Sequence, residues 1–386
     1  MRTITLLTCV GCVSEPTTPP ATLPAPVPSS GDTGLPPTPP VALCDEPGVL
    51  CSVAGTGVWG SNGDGPADAV WLYQPTAVGF GPSARVEFAD YNNHRIRALL
   101  SDGMVTTLAG TGLHLNAAAG PASLSPMENP IDLARCDDSG FFIAEQHAAR
   151  VDFVDAYGTL SYFAGMGGLP GYTGDGGAAT SAQLSEPTGV ACGPDGAVYI
   201  ADSLNHAIRV VHPDGIIGTL AGTGLAGYSD GPAEEAAFHS PHRLAVHDNS
   251  LYVADWLNSA IRRIDLADGT VSTVVGTGVA GCSGDGGPAV EAQLAYAIGV
   301  AFGADGSMYI ADSDNHVIRR VNPRGTIETV VGRPCDPEPS PGFAGDGGPA
   351  LDGQLHWPND VALGPDGKLW IADTFNSRIR TVAAPN

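Results

Sequence analysis

The sequence is poor in basic residues and in long apolar segments, and both shortages limit what the protein can do. It has 17 Lys and Arg against 41 Asp and Glu, so its formal net charge is -24 at pH 7. A nucleic-acid-binding protein needs a basic surface that neutralises phosphates, so we expect no nucleic acid partner. Beyond the N-terminal leader, no apolar run is long enough to cross a bilayer. The acidity favours solubility, cationic partners or divalent metal ions.

Signatures of catalysis and of zinc binding are also missing. Local context identifies no nucleophile elbow, no HExxH motif and no Ser-His-Asp order. The CxxC pair formed by Cys9 and Cys12 lies in the leader, so a structural zinc site is not expected. Any active site would therefore have to be assembled from residues that are distant in the sequence.

Residues 1–43 are expected to act in targeting and tethering. Arg2, the apolar stretch 4–10 and Gly11-Cys12 resemble a bacterial lipoprotein signal, with Cys12 as the residue that receives the lipid. Residues 14–43 contain ten prolines and no Lys or Arg, a composition typical of an extended spacer. We therefore predict a signal peptide at 1–12, a Pro- and Thr-rich tether at 13–43 and one folded domain at 44–386. The predicted location is outside the cytoplasm, either lipid-anchored at a bacterial membrane, periplasmic or at the cell surface, or secreted.

The folded region is a repeat. An apolar segment ends in Ala plus an acid and is followed by a short polar turn, and this pattern recurs every 53 to 61 residues. The acidic members are Asp90, Glu145, Asp202, Asp255, Asp312 and Asp373. Several alternating strands and Gly-rich turns lie within each period, which is typical of a radial repeat. We predict an all-β fold, a six-bladed β-propeller with four antiparallel strands in each blade.

The first and last repeats predict how the propeller closes. The outer-strand motif of each unit, such as 219–224 with sequence Thr-Leu-Ala-Gly-Thr-Gly, already occurs once at 52–57, before any inner strand. The last unit ends after its third strand at 378–382. The N-terminal strand is therefore predicted to complete the last blade, which removes an exposed sheet edge.

The repeat units resemble a known family. The segments 199–209 and 309–319, both of the form Tyr-Ile-Ala-Asp-Ser-x-Asn-His-x-Ile-Arg, are similar to NHL repeats. The loops 172–177 and 343–348, with Gly-Asp-Gly-Gly, resemble those of bacterial secreted NHL propellers. The resemblance covers residues 49–384 and implies the architecture. The family includes RNA-binding, adhesive, ligand-sensing and a few catalytic members, so function has to be argued from the surface of this chain.

Six cysteines follow the leader, an even number that permits disulfides in an exported chain. Cys282 and Cys335 fall in corresponding loops of neighbouring units, and Cys44 and Cys51 flank the entering strand. Both pairings are plausible, although spacing does not determine connectivity. Cys136 and Cys192 occupy equivalent inner-strand positions and are interpreted as small buried residues.

Because repetition indicates architecture, departures from it are the candidate functional positions. Blade two carries Glu145 in place of Asp and Asp152 where the other blades carry Arg. At the start of the inner strands, polar residues collect in blades two, four and six: Asp132, His242, Arg243, Asn359 and Asp360. We expect all seven residues, Glu145 and Asp152 included, to line the mouth of the channel and to meet around a cation or a polar ligand. The alternative is that they are solvated groups of a water-filled channel.

The repeated Gly-Asp-Gly loops are expected on the same face, around the mouth of the central channel. They contain Asp64, Asp175, Asp285 and Asp346, with a variant at Asp230. Single acids in separate loops lack the several oxygen ligands that Ca²⁺ requires, so a structural role within each turn is favoured.

Three functional classes follow from these observations. The favoured one is a monomeric binding module that takes a protein or a small polar ligand on its loop-rich face. The first alternative is a metal-dependent propeller enzyme of the lyase or lactone hydrolase type with a site at the channel mouth. The second is a purely structural surface module. No cofactor is specified by the sequence, and Ca²⁺ or Zn²⁺ is the candidate cation.

Overall fold

A computed structural model of the chain describes residues 44–334 and 340–383, which form six antiparallel sheets arranged as the blades of a propeller. The prediction of an all-β six-bladed propeller is confirmed. Four of the sheets contain a fifth strand of only two residues at the outer edge, in addition to the four predicted strands. The predicted signal peptide and tether, residues 1–43, lie outside the described residues.

The chain begins with one strand that belongs to the last blade, and the first three blades follow in order. The entering strand is β1 (Val49–Ala54). Blade one contains β2 (Gly65–Pro66), β3 (Pro75–Phe80), β4 (Val86–Asp90), β5 (Arg95–Leu99) and β6 (Met104–Ala109). Blade two contains β7 (Gly120–Pro121), β8 (Pro130–Ala134), β9 (Gly140–Glu145), β10 (Arg150–Asp155) and β11 (Thr159–Ala164). Blade three contains β12 (Pro187–Cys192), β13 (Val198–Asp202), β14 (Ala207–Val211) and β15 (Ile217–Ala221).

The remaining blades repeat this order. Blade four contains β16 (Gly231–Pro232), β17 (Pro241–His247), β18 (Ser250–Asp255), β19 (Ala260–Asp265) and β20 (Thr270–Val275). Blade five contains β21 (Ala297–Phe302), β22 (Met308–Asp312), β23 (Val317–Val321) and β24 (Ile327–Val331). Blade six contains β25 (Gly348–Pro349), β26 (Pro358–Leu363), β27 (Lys368–Asp373) and β28 (Arg378–Ala383).

Short 3-10 helices occur in two places in the repeat. One set forms the turn after the second inner strand: Tyr91–Asn93, Ser203–Asn205, Trp256–Asn258 and Thr374–Asn376. The other set lies in the loops between blades: Ala122–Leu124, Ala179–Ser181, Ala289–Glu291 and Ala350–Asp352. One more, Pro82–Ala84, forms the first hairpin of blade one. In the described part of the chain, no helix has the length and apolar character needed to cross a membrane.

The two ends of the folded region close the ring, as predicted. Strand β1 pairs antiparallel with β28, where Leu50 lies opposite Val382 and Cys51 opposite Thr381. The four-stranded order of blade six is therefore β1, β28, β27, β26, and β25 covers the outer edge of β1. Because main-chain hydrogen bonds join the two termini, the sheet has no long exposed edge that could pair with another chain.

The core consists of six apolar clusters, each between neighbouring blades. Between blades three and four, for example, Tyr199 and Val210 pack with Phe238 and Val253. A blade is a single sheet that cannot bury both of its faces alone, so the inner strands are apolar on both sides and depend on the adjacent blades. Burial of one such side chain contributes about 1.5–3 kcal/mol.

Two disulfides lie within the described residues. The predicted pair Cys44 and Cys51 is present, with 5.7 Å between the Cα atoms. The interpretation of Cys136 and Cys192 as unpaired buried residues is wrong, because they form a disulfide with a Cα separation of 5.2 Å. Inner strands converge on the channel, so equivalent positions of neighbouring blades come within bonding distance. Cys282 is also disulfide-bonded, and its predicted partner Cys335 lies outside the described residues.

The two faces of the propeller differ. The loop face carries the turns after the second strand of each blade together with the loops between blades, and the hairpin face carries the tight turns at the opposite ends of the strands. The chain enters at the hairpin face, where the N–H of Gly48 donates to Ala383 O at 2.9 Å. There Lys368 Nζ, at the start of β27, also lies 2.5 Å from Asp45 Oδ1.

Candidate ligand site at the channel mouth

The repeated acids are structural elements of each blade. Asp202, at the end of β13, is fully buried and accepts hydrogen bonds from Ser185 N at 2.6 Å, Asn205 Nδ2 at 2.9 Å and Arg209 Nη1 at 3.1 Å. Equivalent bonds form around the other aspartates of the set: Asp90, Asp255, Asp312 and Asp373. Each carboxylate thus ties the loop entering a blade to its second and third strands.

The Gly-Asp-Gly loops complete this arrangement at the outer edge of the blades. Arg209 also ion-pairs with Asp175, whose Oδ2 accepts from Thr219 N at 3.1 Å and Thr219 Oγ1 at 2.8 Å. The outermost strand carries Thr219, so the expectation that these loops surround the channel mouth is wrong. Their carboxylates are occupied by an arginine and by strand donors, which agrees with the structural interpretation. We call the repeated set of strand-end acid, arginine and loop aspartate the Asp-Arg circuit.

Blade two contains a rearranged version of the circuit. Arg150 Nε lies 2.6 Å from Asp152 Oδ1, while Glu145 Oε2 accepts from Glu128 N at 3.1 Å. Burial raises the pKa of Glu145 well above its ordinary value, and the neighbouring Asp152 carboxylate raises it further. The expectation that Glu145 and Asp152 line the channel mouth is therefore wrong. They lie on the second and third strands of the blade. The positive charge of the circuit comes here from Arg150, two residues before Asp152, which occupies the usual arginine position.

The structure does bring together three other predicted residues, in the channel itself. Arg243 ion-pairs with Asp132, and its Nη2 donates to the carbonyl oxygens of Thr76 at 2.5 Å and Ile131 at 2.7 Å. One side chain of blade four therefore reaches blades one and two across the axis. Asp360 lines the same cavity as this pair. We call Asp132, Arg243 and Asp360 the channel triad.

The triad carboxylates also satisfy backbone groups left open by the strand register. Each inner strand shifts register with its neighbour near its start, for example between Pro75 and Ala77. Asp360 Oδ2 accepts from Val78 N at 2.9 Å, and Asp132 Oδ2 accepts from Val190 N at 2.9 Å. Burial raises the pKa of Asp360 to about 7, Arg243 opposes the shift and Asp132 adds to it. The triad thus links five blades, all except blade five, and forms the floor of the upper channel.

Below this floor the channel widens toward the hairpin face. A cavity of about 290 Å³ is lined by Leu133, Val190, Val246, Val300 and Val361, with the triad at its inner end. Most of the residues that line it are Val, Leu and Ala of the inner strands, while Arg135 and the triad add charged groups. The disulfide partner Cys192 also lines this cavity.

Above the floor, toward the loop face, several buried polar atoms have no hydrogen-bond partner among the described residues. They are His242 Nδ1, Asn359 Oδ1, Trp256 Nε1 and Trp357 Nε1. His242 and Asn359 directly precede the triad residues, and the ring of His242 lies 6.0 Å from that of Trp256. Burial and the adjacent Arg243 lower the pKa of His242 to about 3, so its imidazole is neutral near pH 7. Unpartnered buried polar groups are uncommon and indicate a site for water or ligand. We call this group the upper mouth.

A ring of residues with left-handed backbone conformation surrounds the upper mouth. Each residue just before an inner strand has a φ between 47° and 55°, and none is glycine: Gln74, Asn129, Glu186, Ser240, Tyr296 and Trp357. Five of these residues, all except Glu186, donate their N–H to a side chain of the preceding blade, as where His316 Nδ1 accepts from Trp357 N at 3.2 Å. Such a conformation costs about 1–3 kcal/mol for a residue with a side chain, which glycine would avoid.

Sequence reasoning missed this ring. Its signal was available, since five of the six residues directly precede the proline that starts an inner strand. The backbone conformation of these six residues repeats, but their side chains differ in every blade. They are therefore departures from the repeat of the kind that marks candidate functional positions.

The ring has a polar half and an aromatic half. In blades one to three, Tyr91 Oη donates to Gln146 Oε1 at 2.9 Å and Gln146 Nε2 donates to Glu186 Oε2 at 2.9 Å. In blades four and five, the ring of Trp256 lies 5.9 Å from that of Tyr296. In blade six, Trp357 lies 5.9 Å from Phe375. The mouth therefore offers amide and carboxylate groups on one side and aromatic rings on the other.

No group of three or more His, Cys, Asp or Glu side chains within residues 44–334 and 340–383 is arranged to hold a metal ion.

The fold and its Asp-Arg circuit define a six-bladed propeller built from NHL repeats. A family model for the teneurin NHL domain matches residues 47–229 and 278–341, so the chain belongs to the teneurin NHL domain family. It is 28% identical to teneurin-1 of Mus musculus over 379 residues, covering 88% of this chain and 14% of that protein. The chain therefore spans about one seventh of the length of this relative.

Two solved structures from Bacteroides thetaiotaomicron share the fold. A protein of unknown function superposes with a TM-score of 0.66 at 17% identity and covers 87% of this chain and 75% of that one. A protein described as an auxiliary nutrient binding protein has a TM-score of 0.64 at 15% identity, covering 86% and 75% of the two chains. At these identities the likeness concerns the fold alone.

Proposed function

We propose that the protein is an exported, lipid-anchored propeller that binds a small polar ligand or a protein at the upper mouth of its loop face. One observation carries the proposal: four uncharged, buried side-chain atoms without a hydrogen-bond partner among the described residues lie where the six-fold repeat is broken. In the repeated circuit the unpartnered atoms are instead arginine Nε atoms, and those arginines are already bonded through their terminal nitrogens. A framework that needed only stability would place apolar residues there, because an unsatisfied buried polar group costs about 1–3 kcal/mol. The fold relative described as a nutrient binding protein is consistent with a binding role.

The position of the chain entry supports the same proposal. Cys44 and Cys51 hold the entering segment at the hairpin face, near Ala383 and Lys368. A tether that continues from this point toward a membrane would leave the opposite loop face accessible to ligand or partner. Lipid attachment at Cys12 is the prediction on which this orientation depends.

Binding at the upper mouth is tested with a panel of chemically diverse probes: neutral sugars, nucleosides, amino acids, cationic peptides, Ca²⁺ and Zn²⁺. Titration calorimetry is run on the wild type, on Asn359→Leu and on Asp175→Ala. Any probe that binds is expected to lose at least about tenfold in affinity with Asn359→Leu, since its polar atom lies in the site. Asp175→Ala should leave the affinity unchanged. Binding that responds to the loop variant alone, or no binding in the whole panel, contradicts the proposal.

The anchor is tested separately, in a bacterial host that processes lipoproteins. The full chain should partition into the detergent phase, whereas Cys12→Ser should remain in the aqueous phase, because several acyl chains anchor a protein firmly. Equal partitioning of the two forms rules out the lipid anchor. It does not affect the proposed binding site, which the calorimetric titrations test separately.

A further inference from the structure

The unpartnered atoms of the upper mouth are all uncharged, and this restricts the ligand. Trp256 Nε1 and Trp357 Nε1 can only donate a hydrogen bond, whereas Asn359 Oδ1 can only accept one. The neutral imidazole of His242 offers Nδ1 as donor or acceptor according to its tautomer. The site therefore needs a partner that both donates and accepts without carrying charge.

Most polar atoms of the charged groups nearby already have partners. Arg243 pairs with Asp132 through Nη1 and donates to two carbonyl oxygens through Nη2, and its buried Nε is the atom left without a partner among the described residues. Asp132 and Asp360 accept from the backbone of the next blade, and Glu186 accepts from Gln146. An anionic ligand would meet a strongly acidic protein whose channel arginine is committed, and a cationic one would have to compete with Arg243 for the carboxylates. Neither ligand class matches the neutral atoms that remain.

Hydroxyl groups supply what these atoms lack, since each is one donor and two acceptors. We infer that the upper mouth binds a neutral polyhydroxylated ring, that is, a neutral saccharide or the end of a neutral glycan. This inference rests on the proposed binding function and assigns its ligand class.

The two halves of the ring fit such a ligand. A saccharide ring has an apolar C–H face and an equatorial edge of hydroxyl groups. In the aromatic half, the rings of Tyr296, Trp357 and Phe375 are half-buried and can cover the C–H face, whereas Trp256 is buried against Tyr296. The polar half is held in place by the chain of hydrogen bonds from Tyr91 through Gln146 to Glu186. Groups fixed in this way lose little conformational freedom on binding.

Ordered water is the competing occupant, because it could satisfy the same atoms. Binding of a saccharide and binding of water alone can be distinguished by substitutions that remove one polar atom of the upper mouth and keep the shape of the side chain. Trp256→Phe removes Nε1 and retains an aromatic ring, and Asn359→Leu removes Oδ1 at similar volume. Trp370→Phe is the matched control, because Trp370 Nε1 is also buried without a partner but its ring packs against Phe80, toward the hairpin face.

The experiment uses saturation-transfer NMR and titration calorimetry on residues 44–386 and on the full chain. The probes are neutral mono- and disaccharides, with uronic acids and amino sugars as charged analogues. We expect at least one neutral saccharide to bind, its charged analogues to bind more weakly, and Trp256→Phe and Asn359→Leu each to weaken it about tenfold. Trp370→Phe should bind as the wild type does.

Each other outcome overturns the inference in an identifiable way. Suppose that no neutral saccharide binds, but that another probe of the panel binds and loses affinity with Asn359→Leu. The proposed binding function then stands and the assignment of a saccharide ligand fails. If neither saccharides nor any other probe binds, both fail and the upper mouth holds water only. If saccharides bind but ignore both mouth variants, their site lies elsewhere on the propeller.

Discussion

The Asp-Arg circuit and the upper mouth are both buried and polar, yet they are built in opposite ways. In the circuit, the same residue types recur from blade to blade, and a carboxylate such as that of Asp202 accepts from a backbone N–H, an asparagine and an arginine. In the mouth, every blade contributes a different side chain, and several polar atoms have no partner in the described chain. The circuit carboxylates are all paired, which supports a fixed architecture, although the Nε atoms of four circuit arginines have no partner among the described residues. In the mouth, uncharged side chains that differ from blade to blade have unpartnered atoms, and this combination indicates a place for another molecule.

Blade two shows that the circuit tolerates a change of residues as long as its charges stay paired. There Arg150 and Asp152 are neighbours on one strand, and Glu145 lies against Asp152. From sequence, this looked like a functional departure. A departure from the repeat therefore has to be judged by where its polar atoms lie as well as by their pairing, since Glu145 Oε1 is also buried without a hydrogen bond to the described residues but lies within blade two.

The largest expected effect concerns the framework as a whole. Removing residues 44–57 deletes β1 and leaves β28 as an unpaired edge, with apolar side chains that Leu50 had covered. We expect aggregation or loss of cooperative unfolding, measured by light scattering and calorimetry. Removing residues 13–43 is the control and should leave the melting temperature unchanged. A monomeric 44–57 deletion with wild-type melting would contradict closure by β1.

Within the circuit, Arg209→Met should destabilise the protein by about 3–5 kcal/mol, because it leaves the buried Asp202 without its cation. Chemical denaturation measures this change in the free energy of unfolding. Arg324→Met, at an exposed arginine of a hairpin turn, should stay within about 0.5 kcal/mol of the wild type. Equal effects of the two substitutions would show that the circuit does not hold the blade together.

The disulfide between Cys136 and Cys192 should contribute about 2–4 kcal/mol, since it closes a long loop and joins the turn after β8 to the end of β12. Replacing both cysteines by alanine should lower the unfolding free energy by this amount. Because the bond lies at the hairpin end of the channel, ligand affinity at the upper mouth should not change. Loss of affinity in this variant would mean that the two ends of the channel are coupled.

The channel triad should make stability depend on pH. The pKa of Asp360 is raised to about 7 by burial, against an ordinary value of 3.8. A carboxyl whose pKa is higher in the folded than in the unfolded protein stabilises the fold while it is protonated. Its contribution to the free energy of unfolding is therefore lost as pH rises from about 4 through about 7. Asp360→Asn removes this titration.

The variant should therefore lose stability less steeply than the wild type over that interval, with a difference of about 1–3 kcal/mol between its two ends. Thermal melts at pH 5 and pH 8 measure it. Buried Asp202, Asp255 and Asp312, whose pKa values are raised to about 6, add a slope of the same sign in both proteins. Parallel slopes of wild type and variant would show that Asp360 is ionised throughout.

The smallest expected effect comes from comparing one asparagine of the circuit with one asparagine of the upper mouth. Asn205 in the circuit donates to Asp202 Oδ2 at 2.9 Å and to Gly171 O at 2.7 Å, so Asn205→Leu should cost about 1–3 kcal/mol. Asn359 Oδ1 has no partner in the described chain, so Asn359→Leu should be neutral or stabilise by up to about 1 kcal/mol. Equal destabilisation by both substitutions would mean that Asn359 belongs to the framework.

Periodicity alone predicted the six blades and their closure, because each blade has to repeat the same pattern of apolar strands and turns. Positions such as Asp132, Arg243 and Asp360 could be found as departures from the repeat. Their partners could not, since Arg243 reaches carbonyl oxygens of Thr76 and Ile131 that are 167 and 112 residues away in the sequence.

The sequence by itself determined the fold class, the closing strand and the strong acidity, since these depend on local pattern and composition. Only the tertiary structure decided which polar residues are paired. In the structure, Glu145 and Asp152 lie within blade two and not in the channel, Cys136 is bonded to Cys192, and Trp357 belongs to a ring of residues with left-handed backbone conformation. The reason is physical: hydrogen bonds and ion pairs act over a few ångströms, and the propeller brings residues that are distant in the chain to that range around one axis.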